Sequence, residues 1–177
     1  IRSIENEIKE KFSHDDEYDV PHTTLHVGKI EGGVALNIVP NNASFLFEIR
    51  NLPEDDPDII LTKIRKGAED ILSKYLKDFP SAKIDIEVIN QYPPLGTSKN
   101  SDVVNFLKSL TGNNSTFKVS FGTEGGLFSN ELKIPTAIWG PGSMSQGHKP
   151  DEYVSIDQIN KCEEILSKLL LKLKAGL

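Results

Sequence analysis

Three residue types that often announce function are nearly missing from this sequence: one cysteine, one tryptophan and one methionine occur in 177 residues. A single thiol, Cys162, cannot form an internal disulfide, which excludes a disulfide-stapled scaffold and leads us to expect a reducing, cytoplasmic setting. Cys162 falls in a helical apolar pattern, where an inert buried thiol is the ordinary reading. No apolar run approaches the roughly 20 residues that span a bilayer, so no membrane partner is expected. Cationic excess is missing too. The 20 Lys and Arg are interspersed among 26 Asp and Glu, net charge is −6, and no basic stripe could neutralise a phosphate backbone, so nucleic acid is not an expected partner. The chain opens on Ile1-Arg2-Ser3-Ile4 without Met or the basic, apolar, small-residue order of a signal peptide, and reads as a trimmed or processed start.

What is present is the balance of a globular protein, with 37% hydrophobic and 26% charged residues and enough length for one ordinary domain or two small ones. Ile1, Ile4, Ile8 and Phe12 recur at helical spacing before the acidic Asp15-Asp16-Glu17, predicting a helix and then a loop. Residues 24–30 and 44–50 are β-rich, with Phe45, Phe47 and Ile49 alternating in the second. Gly32-Gly33 and Pro40-Asn41-Asn42 punctuate the gap, so two strands joined by a long turn are predicted. Glu54-Asp55-Asp56 then leads a helix carrying Ile60, Ile64, Ala68, Ile71 and Tyr75 on one face and ending near Phe79-Pro80. Residues 83–89 alternate Ile84, Ile86 and Val88 against Asp85 and Glu87, the period of a strand with one wet face.

Helix, strand, strand, helix, strand is an α/β ferredoxin-like unit lacking its first strand. Residues 91–100, with Pro93-Pro94 and Gly96, have linker composition, which sets expected domains of 1–92 and 93–177. In the second, Val103, Val104, Leu107 and Leu110 mark a helix, and 117–121 and 135–139 are strand-like. A closing helix over 156–174 carries Ile156, Ile159, Cys162, Leu166, Leu169, Leu170 and Leu173 and should pack on a sheet. The pattern is part of a layered α/β domain, whose sites form in loops beyond strand C-termini.

One such loop runs from Gly140 to Tyr153 and pairs a pliable Gly140-Pro141-Gly142-Ser143 backbone with one imidazole, His148, and the carboxylates Asp151 and Glu152. Gly147 would let the backbone approach a ligand closely, and an acidic neighbour could orient a metal-bound imidazole; a surface histidine in a turn explains the same letters. The loop is neither a GxSxG nucleophile elbow nor a phosphate-binding GxxxxGK[ST] loop, and no HExxH occurs, so serine hydrolase and P-loop chemistry are set aside. Thr123 and Glu124 follow a strand-like run, where they could face a site or cap the next helix. Arg50 ends an alternating strand, where it could clamp a carboxylate bidentately or pair with Glu48 on the same face. His14, His22 and His26 form no ligand-spaced cluster and read as surface residues, because 24–30 is strand and not helix.

Two long runs carry more than spacing does. VPHTTLHVGKIEGGVALNIVPNNASFLFEIRNLP, from Val20 to Pro53, resembles the dimerisation or lid domain of M20-type metallohydrolases. FGTEGGLF, followed by IPTAIWGPGSMSQGHKPDEYVSIDQI from Ile134 to Ile159, is similar to the C-terminal end of that family's catalytic domain. The resemblance implies an incomplete lid followed by the C-terminal part of a zinc-hydrolase domain. It also implies a homodimer through the lid and a missing N-terminal half as the chain's natural partner.

For the site, the resemblance implies two zinc ions, with cobalt as an alternative metal, held by an early HxD motif, a bridging Asp, a Glu-Glu pair, a further acid and a late His. Only the late His has a match, at His148. Nothing matches the general-base Glu, since Glu163-Glu164 lies inside the final helix, where solvated surface is the simpler reading. Asn37 matches the lid asparagine that reaches the opposite subunit's site, Arg50 the lid arginine that holds a substrate carboxylate, and Gly142 and Ser143 the substrate-side loop; Thr123 and Glu124 complete the expected contacts. The implied reaction removes the acetyl group from N-acetyl-ornithine, with succinyl-diaminopimelate or dipeptides as alternative substrates and a stand-alone dimerisation or ligand-binding module as the non-enzymatic alternative. A lone imidazole cannot hold a catalytic zinc that needs at least three protein ligands, so the chain by itself is expected to be inactive and to bind no metal stably.

Overall fold

The spacing of isoleucines decides where the first unit forms. In the computed structural model, which describes residues 1–147 and 149–176, helix α1 (Arg2–Lys11) turns Ile8 completely inward and lets Ile1, Ile4 and Phe12 line the same side. Along the helix Lys9 pairs with Glu5 (3.2 Å) and Lys11 with Glu7 (3.5 Å), both at the four-residue spacing that brings side chains together on a helix. Strands β1 (Thr24–Gly32) and β2 (Ala43–Arg50) pair antiparallel from Thr24 with Arg50 to Gly32 with Ala43, and a bulge falls between Val27 and Lys29.

Helix α2 (Pro57–Leu72) starts where Asp56 accepts the Asp58 N–H with its side chain and Pro57 fills a first-turn position that needs no donor. It presents Ile60 and Ile64 to Ile8 and Leu25, and this four-residue core is joined at its rim by Phe47, Ile49 and Ile86. Both helices pack into one core with the hairpin, and packing against a helix is what makes a two-stranded ladder stable.

Chain contacts divide the molecule into two compact units, one of Ile1–Pro94 with Phe117–Glu124 and one of Leu95–Thr116 with Gly125–Leu177. In the second unit, helix α3 (Asp102–Thr111) buries Val104 and Leu110 and stops at Gly112, whose φ of 71° is the left-handed conformation that closes a helix at little cost in glycine. Helix α4 (Gly125–Glu131) is short. Helix α5 (Ile156–Ala175) opens on a reciprocal cap, Ser155 accepting the Gln158 N–H while the Gln158 side chain accepts from Ser155, and it packs on α3. None of the described helices is long and apolar enough to cross a membrane.

The ferredoxin-like expectation is met only in its first four elements. Among the described residues the sheet has two strands, and 83–89, 117–121 and 135–139 form no ladder. Alternation supplies two faces but no partner; a strand exists only once its N–H and C=O groups find a neighbour. Ile86 does reach the core rim, as the pattern requires, while Ile84 and Val88 stay exposed. For the same reason α5 packs on a helix and not on a sheet, burying only Ile165 and leaving Cys162 half-buried.

Candidate functional site

Arg50 occupies the last rung of the hairpin, opposite Thr24. Its guanidinium donates through Nε to Glu48 Oε1 at 2.9 Å and through Nη1 to the Ser120 carbonyl at 3.1 Å, and about half of each side chain of the Arg50–Glu48 pair is open to solvent. The same-face pairing expected of positions 48 and 50 is therefore formed. An arginine fork carries five N–H donors, and these two bonds use two of them.

Segment 117–124 lies within the first unit. Besides the Arg50 bond it is anchored by Lys118, whose Nζ is 2.5 Å from Asp15 Oδ2, 3.3 Å from Glu17 Oε2 and 5.2 Å from the centre of the Tyr18 ring. The Lys118 hydrogen bond and the Glu17 amide hold the Asp15 carboxyl below the usual carboxylate range. Burial draws the Lys118 ammonium down, but its bonds to Asp15 and Glu17 outweigh this and leave it above the ordinary lysine value. Burial raises the Tyr18 phenol, and Lys118 opposes it. Sequence pattern had offered no sign of this cluster, because a lysine and an acidic loop roughly a hundred positions apart share no period. Thr123 is half-buried and Glu124 exposed at the end of this anchored segment.

Asn37 sits at the far end of the hairpin connection, in a turn closed by the Ile38 N–H on the Ala35 carbonyl at 3.3 Å, and is exposed. Around it Val34, Leu36, Ile38 and Val39 are exposed as well. A hollow of about 350 Å³ lies beneath, lined by the strand ends and by Val34, Ile38, Val39 and Pro40. His14 pairs with Asp16 at 2.9 Å, and His14 and His22 form an isolated bridge that leaves His22 half-buried, where a surface position was expected.

In the second unit the glycine-rich loop is built around Ser143. Gly142 has a φ of 101°, which a side chain would strain. The Ser143 carbonyl then accepts from Gln146 N–H at 2.8 Å and Gly147 N–H at 3.2 Å, and Ser143 Oγ lies 3.0 Å from Ser145 Oγ. Gln146 Oε1 is buried without a hydrogen-bond partner among the described residues, a contact-hungry acceptor that composition alone did not single out. The expected metal ligand His148 lies outside the described residues. Glu163 and Glu164 are exposed on α5.

The sequence-named residues thus fall in two sets: Asn37, Arg50, Thr123 and Glu124 in the first unit, Gly142 and Ser143 in the second. Among the described residues no three His, Cys, Asp or Glu side chains converge on one point. A tetrahedral zinc takes at least three protein ligands, so the described residues do not fit zinc by themselves.

Comparison with known proteins adds a second line of observation. Residues 2–76 match the peptidase dimerisation domain of M20 type. The chain is 30% identical over 162 residues to the acetylornithine deacetylase of Myxococcus xanthus, covering 92% of this chain and 41% of that protein. It is 28% identical to the acetylornithine deacetylase of Aliivibrio fischeri over 97% of this chain and 43% of the other, and 28% identical to that of Pasteurella multocida over 96% and 42%. The chain therefore spans roughly four-tenths of the length of these curated relatives.

Proposed function

From an M20 dimerisation domain at residues 2–76 and a likeness to acetylornithine deacetylases that continues beyond it through nearly the whole chain, we propose that this chain is the lid and C-terminal catalytic portion of a metal-dependent N-acyl amino acid amidohydrolase. The observation that carries the reading is that continuity. It covers the glycine-rich loop as well as the hairpin, so it is not the likeness of a pairing module alone. Residues 1–92 are the lid and 93–177 the catalytic portion in this reading.

The reaction is removal of the acetyl group from N-acetyl-ornithine. Arg50 takes the substrate's α-carboxylate: an exposed fork at a strand end, with donors beyond the two in use, suits a planar anion. Thr123 and Glu124 supply contacts near it from the anchored segment, Gly142 and Ser143 shape the acyl side of the pocket, and His148 is the metal ligand. Asn37, carried on an exposed apolar loop, reaches toward a second copy, and the lid pairs two copies into a homodimer. Zinc dependence belongs to this reading, but the ligands that would complete the set have no match in this chain, so the work of its own residues is to bind and orient. The apolar positions left open, among them Ile84, Val88, Leu170 and Leu171, suit contact with further chain of the same protein.

The test is turnover by the full-length protein with three amides: N-acetyl-ornithine, succinyl-diaminopimelate and a dipeptide. Hydrolysis of the acetyl amide first among the three is expected, lost on chelation and restored by zinc or cobalt. Turnover indifferent to chelation, or none with any of the three, overturns the reading.

A further inference from the structure

Two buried polar residues of the first unit serve no helix cap and no part of the proposed pocket. Thr23 is fully buried and Asp55 is 6% exposed, and they are bonded to each other, Thr23 Oγ1 donating to Asp55 Oδ2. Thr23 Oγ1 also accepts the Leu52 N–H at 3.0 Å, and Asp55 Oδ1 accepts the Ser13 N–H at 3.1 Å. Asn51 Nδ2 closes the corner by donating to the carbonyls of Leu52 at 3.1 Å and Asp55 at 3.0 Å.

The place of this cluster gives it meaning. The β1–β2 ladder ends at Thr24 with Arg50; Thr23 precedes that rung on one strand, and Leu52 follows it by two residues on the other. A two-stranded ladder opens first at its free end, which is where Arg50 is mounted. Beyond that rung the β1–β2 ladder does not continue among the described residues; the chain before Thr23 bridges to His14 and Asp15, and the Thr23 hydroxyl and Asp55 carboxylate are what tie it to the chain following β2 and to the end of α1. Burying a hydroxyl and a carboxylate is costly, and an apolar pair would fill the same space more cheaply; directional bonds fix a position as apolar contact does not.

We propose that Thr23 and Asp55 are positioning residues for Arg50, a buried clamp that holds the end of β2 so that the guanidinium meets a substrate carboxylate in a preset place. The inference rests on the reading of Arg50 as the carboxylate contact, and its test separates the two. In the full-length enzyme, kcat and KM are measured for N-acetyl-ornithine and for the corresponding α-carboxamide. Arg50→Ala is expected to abolish the preference for the carboxylate; if the preference survives, the reading of Arg50 fails and the clamp with it.

With Arg50 upheld, Thr23→Val is expected to raise KM for the carboxylate on the order of tenfold while kcat changes less than about twofold and the carboxamide is little affected. Thr23→Ser, which keeps the hydroxyl, restores KM. Equal losses on both substrates, or a lowered Tm with the preference intact, overturn the proposal while leaving Arg50 in place. Asp55→Asn is the second variant: its amide would face an oxygen that already accepts from Leu52 and leave the hydroxyl hydrogen unpaired, so the same KM change is expected. Should neither variant fold, the unaltered chain decides. The Leu52 amide must exchange with solvent as slowly as the ladder amides, and exchange at the rate of exposed loop amides refutes the clamp.

Discussion

Removing the ammonium of Lys118 tests whether segment 117–124 is fastened to the first unit by charge. Lys118→Met keeps most of the stem and deletes the group that touches Asp15 at 2.5 Å and Glu17 at 3.3 Å. The side chains of Lys118 and Asp15 are 27% and 19% exposed, so water screens part of the attraction, and a net contribution of about 1 kcal/mol is the appropriate scale. That corresponds to roughly a fivefold change in how often the segment opens. Asp15 titrates below its ordinary value of 3.8 in the folded chain, so its contribution is complete above that value and is lost as pH falls through the lower, folded one. Lys118 titrates above 10.5 when folded, so its share is complete below 10.5 and disappears as pH climbs past its raised value. Between those limits the anchoring is flat with pH. Two measurements follow: carbon NMR titration of the Asp15 carboxyl, expected to move up toward 3.8 in the variant, and chymotryptic cleavage beside Phe121, expected to quicken about fivefold at neutral pH. An Asp15 midpoint unmoved by Lys118→Met, or cleavage at an unchanged rate, refutes the ion pair as the fastening.

Two further outcomes concern the units themselves. Ile60→Ala empties part of a four-residue core at a fully buried position and should cost about 2–5 kcal/mol in urea unfolding, whereas Ile59→Ala, at an exposed neighbour, should cost less than about 1 kcal/mol; equal costs would mean that α2 buries another face. Gly112→Ala forces a side chain onto a φ of 71° at the end of α3 and should lower stability by about 1 kcal/mol, read in the same unfolding assay; an unchanged or stabilised protein would show that the left-handed cap is not used.

Which parts of the fold were legible depended on whether the signal was local. The spacing of Ile1, Ile4 and Ile8 and the acidic start before Pro57 fix α1 and the beginning of α2 from within a single turn, and the structure follows them, but α2 ends at Leu72 and not near Phe79, with Ile71 and Tyr75 exposed. The alternation of Phe45, Phe47 and Ile49 is equally local, and the paired register with β1 agrees with it. Residues 83–89 show the limit of that reasoning. Ile86 turns to the core as its pattern demands, yet no ladder forms, because alternation encodes a face and pairing is supplied by another segment. The same limit applies to α5: its helical period was readable, but Ile156, Ile159, Leu166, Leu170 and Leu173 of the expected stripe are exposed and the side chain buried against α3 is Ile165, because the partner decides which face is covered.

The candidate site divides along the same line. Arg50 could be singled out because a cation at a strand end is conspicuous in the letters, and the Glu48 pairing follows from a period of two. Nothing in the letters joins Arg50 to Ser120, Lys118 to Asp15 or Thr23 to Asp55, since each contact crosses tens of residues and depends on where loops return. In the proposed reading these three contacts set how Arg50 meets its substrate. A guanidinium tied to a neighbouring carbonyl and mounted on a buried clamp has little freedom left to lose when a carboxylate arrives, so its affinity is set by geometry fixed during folding and not by the charge alone. A free arginine on a fraying strand would present the same charge with a larger ordering cost. The KM of a carboxylate substrate should therefore respond to Thr23, which never touches it, in the same direction as to Arg50.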